Sequence, residues 1–458
     1  MRRAAFLGSR AAPVSQSRQK HDSLIAAGAG GRSSFSGQAA TVFGATGQVG
    51  HTLVNNLGRM GSSIVLPHRN STEAWRSNDL RLMGDLGTLQ FYQHFDVAHR
   101  SDREVMETIE HSNVVYNVIG TRRELKNYTR RETNVDWPER LAKLVAAKGD
   151  GTRLVHLVPL NTGNEEYCKY SKILEEHTEA CEKIRDALPD AIIVKSADVV
   201  GWNDSYCNFW SMNNEYYQRS LSYIGAFPLM YGGGAQTYVS PIVRRDLGRA
   251  LAKIGAHPDS DGHDFELFGN KVFKLVELVE FMYDVKWQTM RHLNTKRTAS
   301  ARCARMDVDM DYFPYDPLGE LVSDPVDLTT MQKLKRKMLR LHLAKLNWPR
   351  FNVAGIRALD YVHRNKSLYA DWTSEDHFNM MNMTHKPTFE NPGFSDIGVK
   401  LNDPLIAIHE CMANFSPGAY PSGFGLTDNF KRLDQFDLPP AYEWDVVHTQ
   451  EAKRLSYA

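Results

Sequence analysis

The chain lacks an excess of charge of either sign: Lys plus Arg total 55 against 54 for Asp plus Glu in 458 residues. This balance removes any global argument for nucleic-acid binding through net positive charge. Long apolar runs are missing too. Stretches such as Val114 to Gly120 and Ala191 to Val194 fall far short of the roughly 20 residues a membrane-spanning helix needs, so any membrane contact is expected to be peripheral. Cysteine is scarce. Cys168, Cys181, Cys207, Cys303 and Cys411 show neither a Cys-x-x-Cys pair nor a histidine at metal-ligand spacing. Free thiols in a reducing compartment are the expectation. What is present is ordinary for a globular protein: 42% hydrophobic and 24% charged residues, enough to fill a core and solvate a surface. The length admits two or three domains, or one large α/β domain with additions.

Residues 1–37 hold Arg2, Arg3, Arg10, Arg18, Lys20 and Arg32 against a single acid, Asp22. An Arg-rich, acid-poor segment of this kind has the composition of a mitochondrial presequence, the alternative being a basic tail with no address. From Ala39 the pattern changes to short β-rich runs separated by helical stretches. Strands are predicted at Ala39 to Phe43, Ser63 to Leu66, Leu89 to Phe95, Asn113 to Ile119, Arg153 to Val158 and Ala191 to Val194. Helices are predicted at Ser101 to His111, opened by a Ser101/Glu104 capping box, at Asn134 to Lys148 and at Glu165 to Arg185. Alternating strands and helices imply an α/β fold with a doubly wound parallel Rossmann sheet, because each parallel pair needs a crossover. After Gly201 come an aromatic stretch from Trp202 to Tyr217, a Gly232-Gly233-Gly234 loop and a strand-like Gln236 to Pro241. The resulting division is an N-terminal arm over 1–37, a Rossmann domain with its small lobe over 38–289, and a mostly helical and irregular C-terminal extension over 290–458.

The sequence Gly44-Ala45-Thr46-Gly47-Gln48-Val49-Gly50 follows the first strand and opens a helix. Gly44 permits the tight turn, Gly47 lets the backbone approach a pyrophosphate, and Gly50 lets the helix pack closely on the strand. The helix N-terminus then presents free amides to the anion. The second strand ends at Leu66-Pro67-His68-Arg69, where an acid would favour NAD and an Arg accommodates a 2'-phosphate, so Arg69 points to NADP(H). Asp96 and Val97, after the third strand, stand where adenine would lie. Asn117 to Gly120, including Ile119 and Gly120, stand beside the same crevice at the end of the fourth strand.

These motifs resemble the fingerprint of the extended and atypical short-chain dehydrogenases/reductases. Gly30 to Gly37, Leu57 to Ser62, Met83 to Gly87 and Ala191 to Lys195 narrow the likeness. Together they resemble the NADPH-binding accessory subunits of mitochondrial respiratory complex I, over about residues 28 to 285 and again from Met383-Thr384-His385-Lys386 to Gly398. The resemblance implies a short-chain fold and tightly bound NADPH. It also implies a peripheral place on the matrix side of the inner membrane, other complex I subunits as partners, and a structural role.

Active members of that superfamily carry Tyr and Lys four residues apart on one helix and a Ser or Thr after the fifth strand. At about 100° per residue, that spacing puts both side chains on one face, where Lys lowers the Tyr pKa. Here the stretch is Tyr167-Cys168-Lys169-Tyr170-Ser171-Lys172, and four residues before Lys172 stands Cys168. The fifth strand runs into Leu160-Asn161, with no hydroxyl before Thr162. Lys172 keeps the ability to hydrogen-bond a nicotinamide ribose. This pattern favours cofactor without turnover, the alternative being an active NADP-dependent reductase with Tyr167 shifted into register by a helix distortion. An RNA-binding role is disfavoured by the neutral charge and the absence of a base-stacking motif. Finally, Met331 to Arg350 carries seven basic residues and no acid, a segment suited to anionic lipid or an acidic partner subunit, or simply to solvent.

Overall fold

A computed structural model describes residues 28, 30–69, 74–122, 128–202, 204–210, 234–282, 285, 375–413, 433–444 and 447. The candidate presequence up to residue 27, the basic segment Met331 to Arg350 and the aromatic pair Tyr216 and Tyr217 lie outside the described residues.

Seven parallel strands form the central sheet: β1 (Ala39–Phe43), β2 (Ser63–Pro67), β3 (Leu89–Tyr92), β4 (Val114–Asn117), β5 (Arg153–Pro159), β6 (Ile192–Ser196) and β10 (Asp264–Leu267). Their order is β10-β6-β5-β4-β1-β2-β3, and every pairing is parallel. Strands covered on both faces carry near-continuous apolar sequence, as AATVF in β1 and VVYN in β4 do. Their side chains divide between two cores. Ala40, Val42, Val114 and Tyr116 pack with α1 (Gln48–Arg59) and α7 (Arg244–Ala256), whereas Phe43, Val115 and Leu154 pack with α3 (Asp102–Ile109) and α4 (Trp137–Lys148). The chain reverses direction across the sheet between β1 and β4, the position at which doubly wound folds open a ligand crevice.

Most expected elements appear with trimmed ends. The Ser101/Glu104 capping box is formed in both directions. The third strand stops at Tyr92, short of the expected Phe95, because His94 adopts a left-handed conformation (φ 55°) that no regular strand accommodates. The helix expected from Asn134 begins as a π-helical turn over Glu132–Asp136 before α4 takes over. The single helix expected from Glu165 to Arg185 is in fact two, α5 (Glu165–Cys168) and α6 (Lys172–Ala187). Asn164 caps the first, and Ser171, in an extended conformation (φ −140°, ψ 112°), starts the second, so the chain breaks at residues 169–171.

The small lobe has its own core. Tyr206, Phe209 and Trp210 from helical residues 205–210 bury against Phe273, Phe281 and Ile408. The aromatic stretch is therefore core where it is described, apart from exposed Trp202. The strand-like Gln236 to Pro241 contributes the short β8 (Tyr238–Val239), paired with β11 (Phe273–Lys274), while β7 (Val199–Val200) pairs in parallel with β9 (Ile242–Val243); α2 (Ala74–Arg81) lies back in the main unit between β2 and β3. Of the described parts of the C-terminal extension, α8 (Glu375–Met381) and the loop after it pack onto the Rossmann unit, and α9 (Pro404–Ala413) packs into the small-lobe core. Glu266 receives bonds from the amide and hydroxyl of Thr388 (both 2.8 Å), and Asp246 receives the Asn402 amide at 2.7 Å. The three stretches near the N-terminus that carry the family likeness meet in space. Arg32 donates to Leu82 O and Asn55 Oδ1 (both 3.0 Å), and the Ser36 amide donates to Gly61 O at 2.9 Å.

Candidate dinucleotide crevice

The loop between β1 and α1 has the form of a phosphate cradle. Gly44 sits at φ +89°, in the left-handed region, where a Cβ would also stand 3.1 Å from Val118 and Ile119. At Gly50 a Cβ would lie 2.2 Å from the Gly44 carbonyl oxygen. Thr46 is half-buried in the intervening turn, and Gly47 ends it with its amide on Gly44 O at 3.0 Å. The first intrahelical bond runs from His51 N–H to Gly47 O (2.9 Å), so the amides of Gln48, Val49 and Gly50 precede it and have no helical acceptor. No side chain caps this helix and its first turn contains no acid. A cradle of bare amides without competing carboxylate suits an anion.

At the β2–β3 end of the crevice, Arg69 is exposed and lies over the Tyr128 ring, 5.5 Å from its centroid. The Tyr128 hydroxyl donates to Asp96. Burial, then the Asp96 bond, raise the Tyr128 phenol above its ordinary value against the opposing influence of Arg69. Arg140 secures the neighbouring turn through the Val97 carbonyl (3.1 Å). Tyr128 was not foreseen, since a lone aromatic between two elements carries no pattern.

The other end is a crevice of about 220 Å³ at the carboxyl ends of β4, β5 and β6. Gln48, Val49, Ile119 and Gly120 line it, together with Arg122, Asn161, His177, Asp198, Met380 and His385. Lys172 does not: as the first residue of α6 it is exposed. Tyr170 is 60% exposed, while Tyr167 packs with Ile173, Leu174, Met380 and Met383. None of Tyr167, Tyr170 and Lys172 lines the crevice.

A roof from the C-terminal extension stands there instead. Asn161, two residues beyond β5, donates from Nδ2 to Thr384 O and accepts the Lys386 amide at Oδ1, both at 3.0 Å. Asp198 accepts from His385 Nε2 (3.1 Å) and faces Arg122 at 3.7 Å. Because His385 Nδ1 accepts the Ser240 amide (3.0 Å), the ring proton is assigned to Nε2. Burial works to raise the Asp198 carboxyl, and the His385 bond and the Arg122 charge outweigh it and hold it below its ordinary value. Arg130, buried, joins Glu176 of α6 (2.9 Å) to Asp376 of α8 (2.7 Å), riveting roof to wall. Burial depresses His177, in the lining, to about 3, with help from the charges of His156, Arg122 and Arg130, and His156, behind it, to about 4. His156 bonds Asn117 at 3.1 Å, yet its Nε2 and the Nδ1 of His177 meet no protein partner among the described residues.

No protein-family model matches the chain. Over 278 residues it is 34% identical to the mitochondrial NADH dehydrogenase (ubiquinone) 1 alpha subcomplex subunit 9 of Rattus norvegicus, covering 60% of this chain and 68% of that protein. The chain belongs to that family. The Arabidopsis thaliana subunit 9 is 34% identical over 294 residues, 64% of this chain and 69% of its own length. The mitochondrial NADH-ubiquinone oxidoreductase 40 kDa subunit of Neurospora crassa is 30% identical over 269 residues, 58% and 65% of the two chains. A solved UDP-glucuronic acid 4-epimerase from Bacillus cereus in complex with NAD aligns at a TM-score of 0.41 and 13% identity, over 53% of this chain and 83% of that one. That last likeness is too weak to carry an argument. Within the subunit 9 family, this member supplies both the glycine cradle and the roof over its far end.

Proposed function

We propose that this chain is an accessory subunit of mitochondrial respiratory complex I that holds NADPH and does not turn it over. The relatives' names supply the assembly; the crevice supplies the rest. Gly44, Thr46, Gly47, Gln48, Val49 and Gly50 would hold the pyrophosphate. Arg69 would meet the 2'-phosphate, Asp96 and Val97 the adenine end, and Ile119 and Gly120 the ribose. The fit is tested by the cradle itself: Gly44 takes a left-handed φ, Gly50 leaves no room for a Cβ, and the amides of Gln48, Val49 and Gly50 have no helical acceptor. When bound, NADPH supplies a hydride donor. This chain's residues bind and orient it and exclude others: Asn161, where the hydroxyl of an active relative is expected, is spent on the roof backbone. That tie is the observation that carries the non-catalytic reading. The chain would then sit on the matrix face of the inner membrane against other complex I subunits. Among the described residues, no helix is long and apolar enough to cross a membrane.

Two measurements test this reading. On native gels of gently solubilised mitochondrial membranes, the chain should co-migrate with NADH dehydrogenase activity; migration as a small free species would reject membership. The purified full chain should release about one NADPH on denaturation, remain inert towards aldehyde and ketone substrates, and lose its preference for NADPH over NADH in Arg69→Glu. Steady NADPH oxidation by a carbonyl substrate would restore the reductase reading.

A further inference from the structure

Away from the crevice, the small-lobe core brings together three side chains of metal-ligating type from distant parts of the chain. Asp204, Cys207 and Cys411 each offer one ligand atom, and these atoms all lie within 4.8 Å of one another. All three residues are buried, Asp204 and Cys207 completely. Asp204 precedes helical residues 205–210, and its two oxygens accept the amides of Gly201 and Cys207, each at 2.7 Å. Those bonds, joined by the Asn208 amide, fix the carboxylate beside the two sulfurs. Cys411 arrives on α9 from the C-terminal extension, which Asp246 and Lys271 hold in place through Asn402 and Asp403.

Arg244, half-buried, lies near enough for its charge to act on both Asp204 and Cys411. Two thiolates, one carboxylate, one guanidinium and a dication sum to zero. A buried site of zero net charge escapes the desolvation cost that each ion alone would carry.

We propose that Asp204, Cys207 and Cys411 bind a zinc-class dication, which pins helix α9, and with it the roof segment, to the small lobe. Thiolate sulfur selects soft ions of this class over magnesium or calcium. Three protein ligands leave the fourth tetrahedral position for the second Asp204 oxygen or a water. Binding releases the two thiol protons to solvent, so that a dication replaces two protons and the sulfurs become thiolates.

The test uses the full-length protein. After stripping with a chelator, titration with Co2+ should produce the near-ultraviolet sulfur-to-cobalt absorption and the intense visible bands of a tetrahedral site, saturating at one ion per chain. Mass-spectrometric metal analysis of protein purified with zinc should give one zinc per chain. Both signals should be lost in Cys207→Ser and in Cys411→Ser and kept in Cys168→Ser. Absence of the sulfur-to-cobalt absorption in the unmodified chain would overturn the proposal, whether or not the serine variants fold. So would its survival in both variants, which would put the ion elsewhere.

Discussion

Gly50→Ala tests the cradle most sharply, because helix propensity and packing pull in opposite directions there. Within a helix, Ala is favoured over Gly by up to about 1 kcal/mol, so by local preference alone this substitution stabilises α1. The added Cβ, however, would stand 2.2 Å from Gly44 O and 2.8 Å from both Gly44 C and Ala45 Cα. All three are backbone atoms of the loop that must face the phosphates, and none is the end of a flexible side chain. Carbon contacts in cores settle near 3.5–4.0 Å, so the Gly44 carbonyl has to retreat by about 1 Å. Overpacking of this order costs about 1–3 kcal/mol. If the strain falls on the cradle, that is roughly a 5- to 150-fold loss of dinucleotide affinity. Fluorescence titration of the full chain with NADPH, alongside thermal unfolding with and without it, reads both parts. The expected result is weaker binding, a lower melting temperature and a smaller gain on adding NADPH. Affinity and melting temperature both equal to those of the unmodified chain would refute the reasoning.

The remaining predictions concern the wall and the roof. His156 and His177 titrate at about 4 and 3 when folded, below the ordinary 6.5. The unfolded chain therefore binds protons first, and stability present above about pH 6.5 is lost as pH falls towards 4, at up to about 1.4 kcal/mol per pH unit for each histidine. Urea midpoints measured from pH 7.5 to 4 should show that decline, and His177→Gln should flatten it; an unchanged slope would dismiss His177 as its source. Arg130→Met strands Glu176 and Asp376 without their shared cation, a loss of roughly 3–5 kcal/mol for a buried pair that denaturant unfolding should register, with faster proteolysis near Asp376. Asn161→Ala leaves the Thr384 carbonyl and Lys386 amide without their partner, at about 1–3 kcal/mol. Amide exchange at Lys386 should then rise, and protection equal to that of the unmodified chain would show the roof to be held elsewhere.

Local rules written in the sequence are those the fold obeys. Runs such as AATVF are buried on both faces and so read unambiguously as inner strands, and the glycine spacing after β1 maps onto a cradle with no room for side chains. The break at residues 169–171 is not legible in the sequence because the apolar residues on either side keep helical spacing, while the turn is set by Asn164 capping a four-residue helix. Lys172 starts the second helix just after that break and is exposed. Long-range partners were illegible for a plainer reason. Nothing near Asp198 announces His385, nor does anything near Cys207 announce Cys411, because each pair is joined only by how the extension folds back. The scattered cysteines show no ligand spacing along the chain, yet two of them meet in space.

The roof also makes one end of the crevice depend on a distant part of the chain. Asn161 is tied to Thr384, 223 positions further along, whereas the glycine cradle and all seven strands of its sheet lie before residue 268. A chain cut short before residue 375 would keep the cradle, expose the apolar surface of Ile173 and Leu174, and leave the far end of the crevice open to any small molecule.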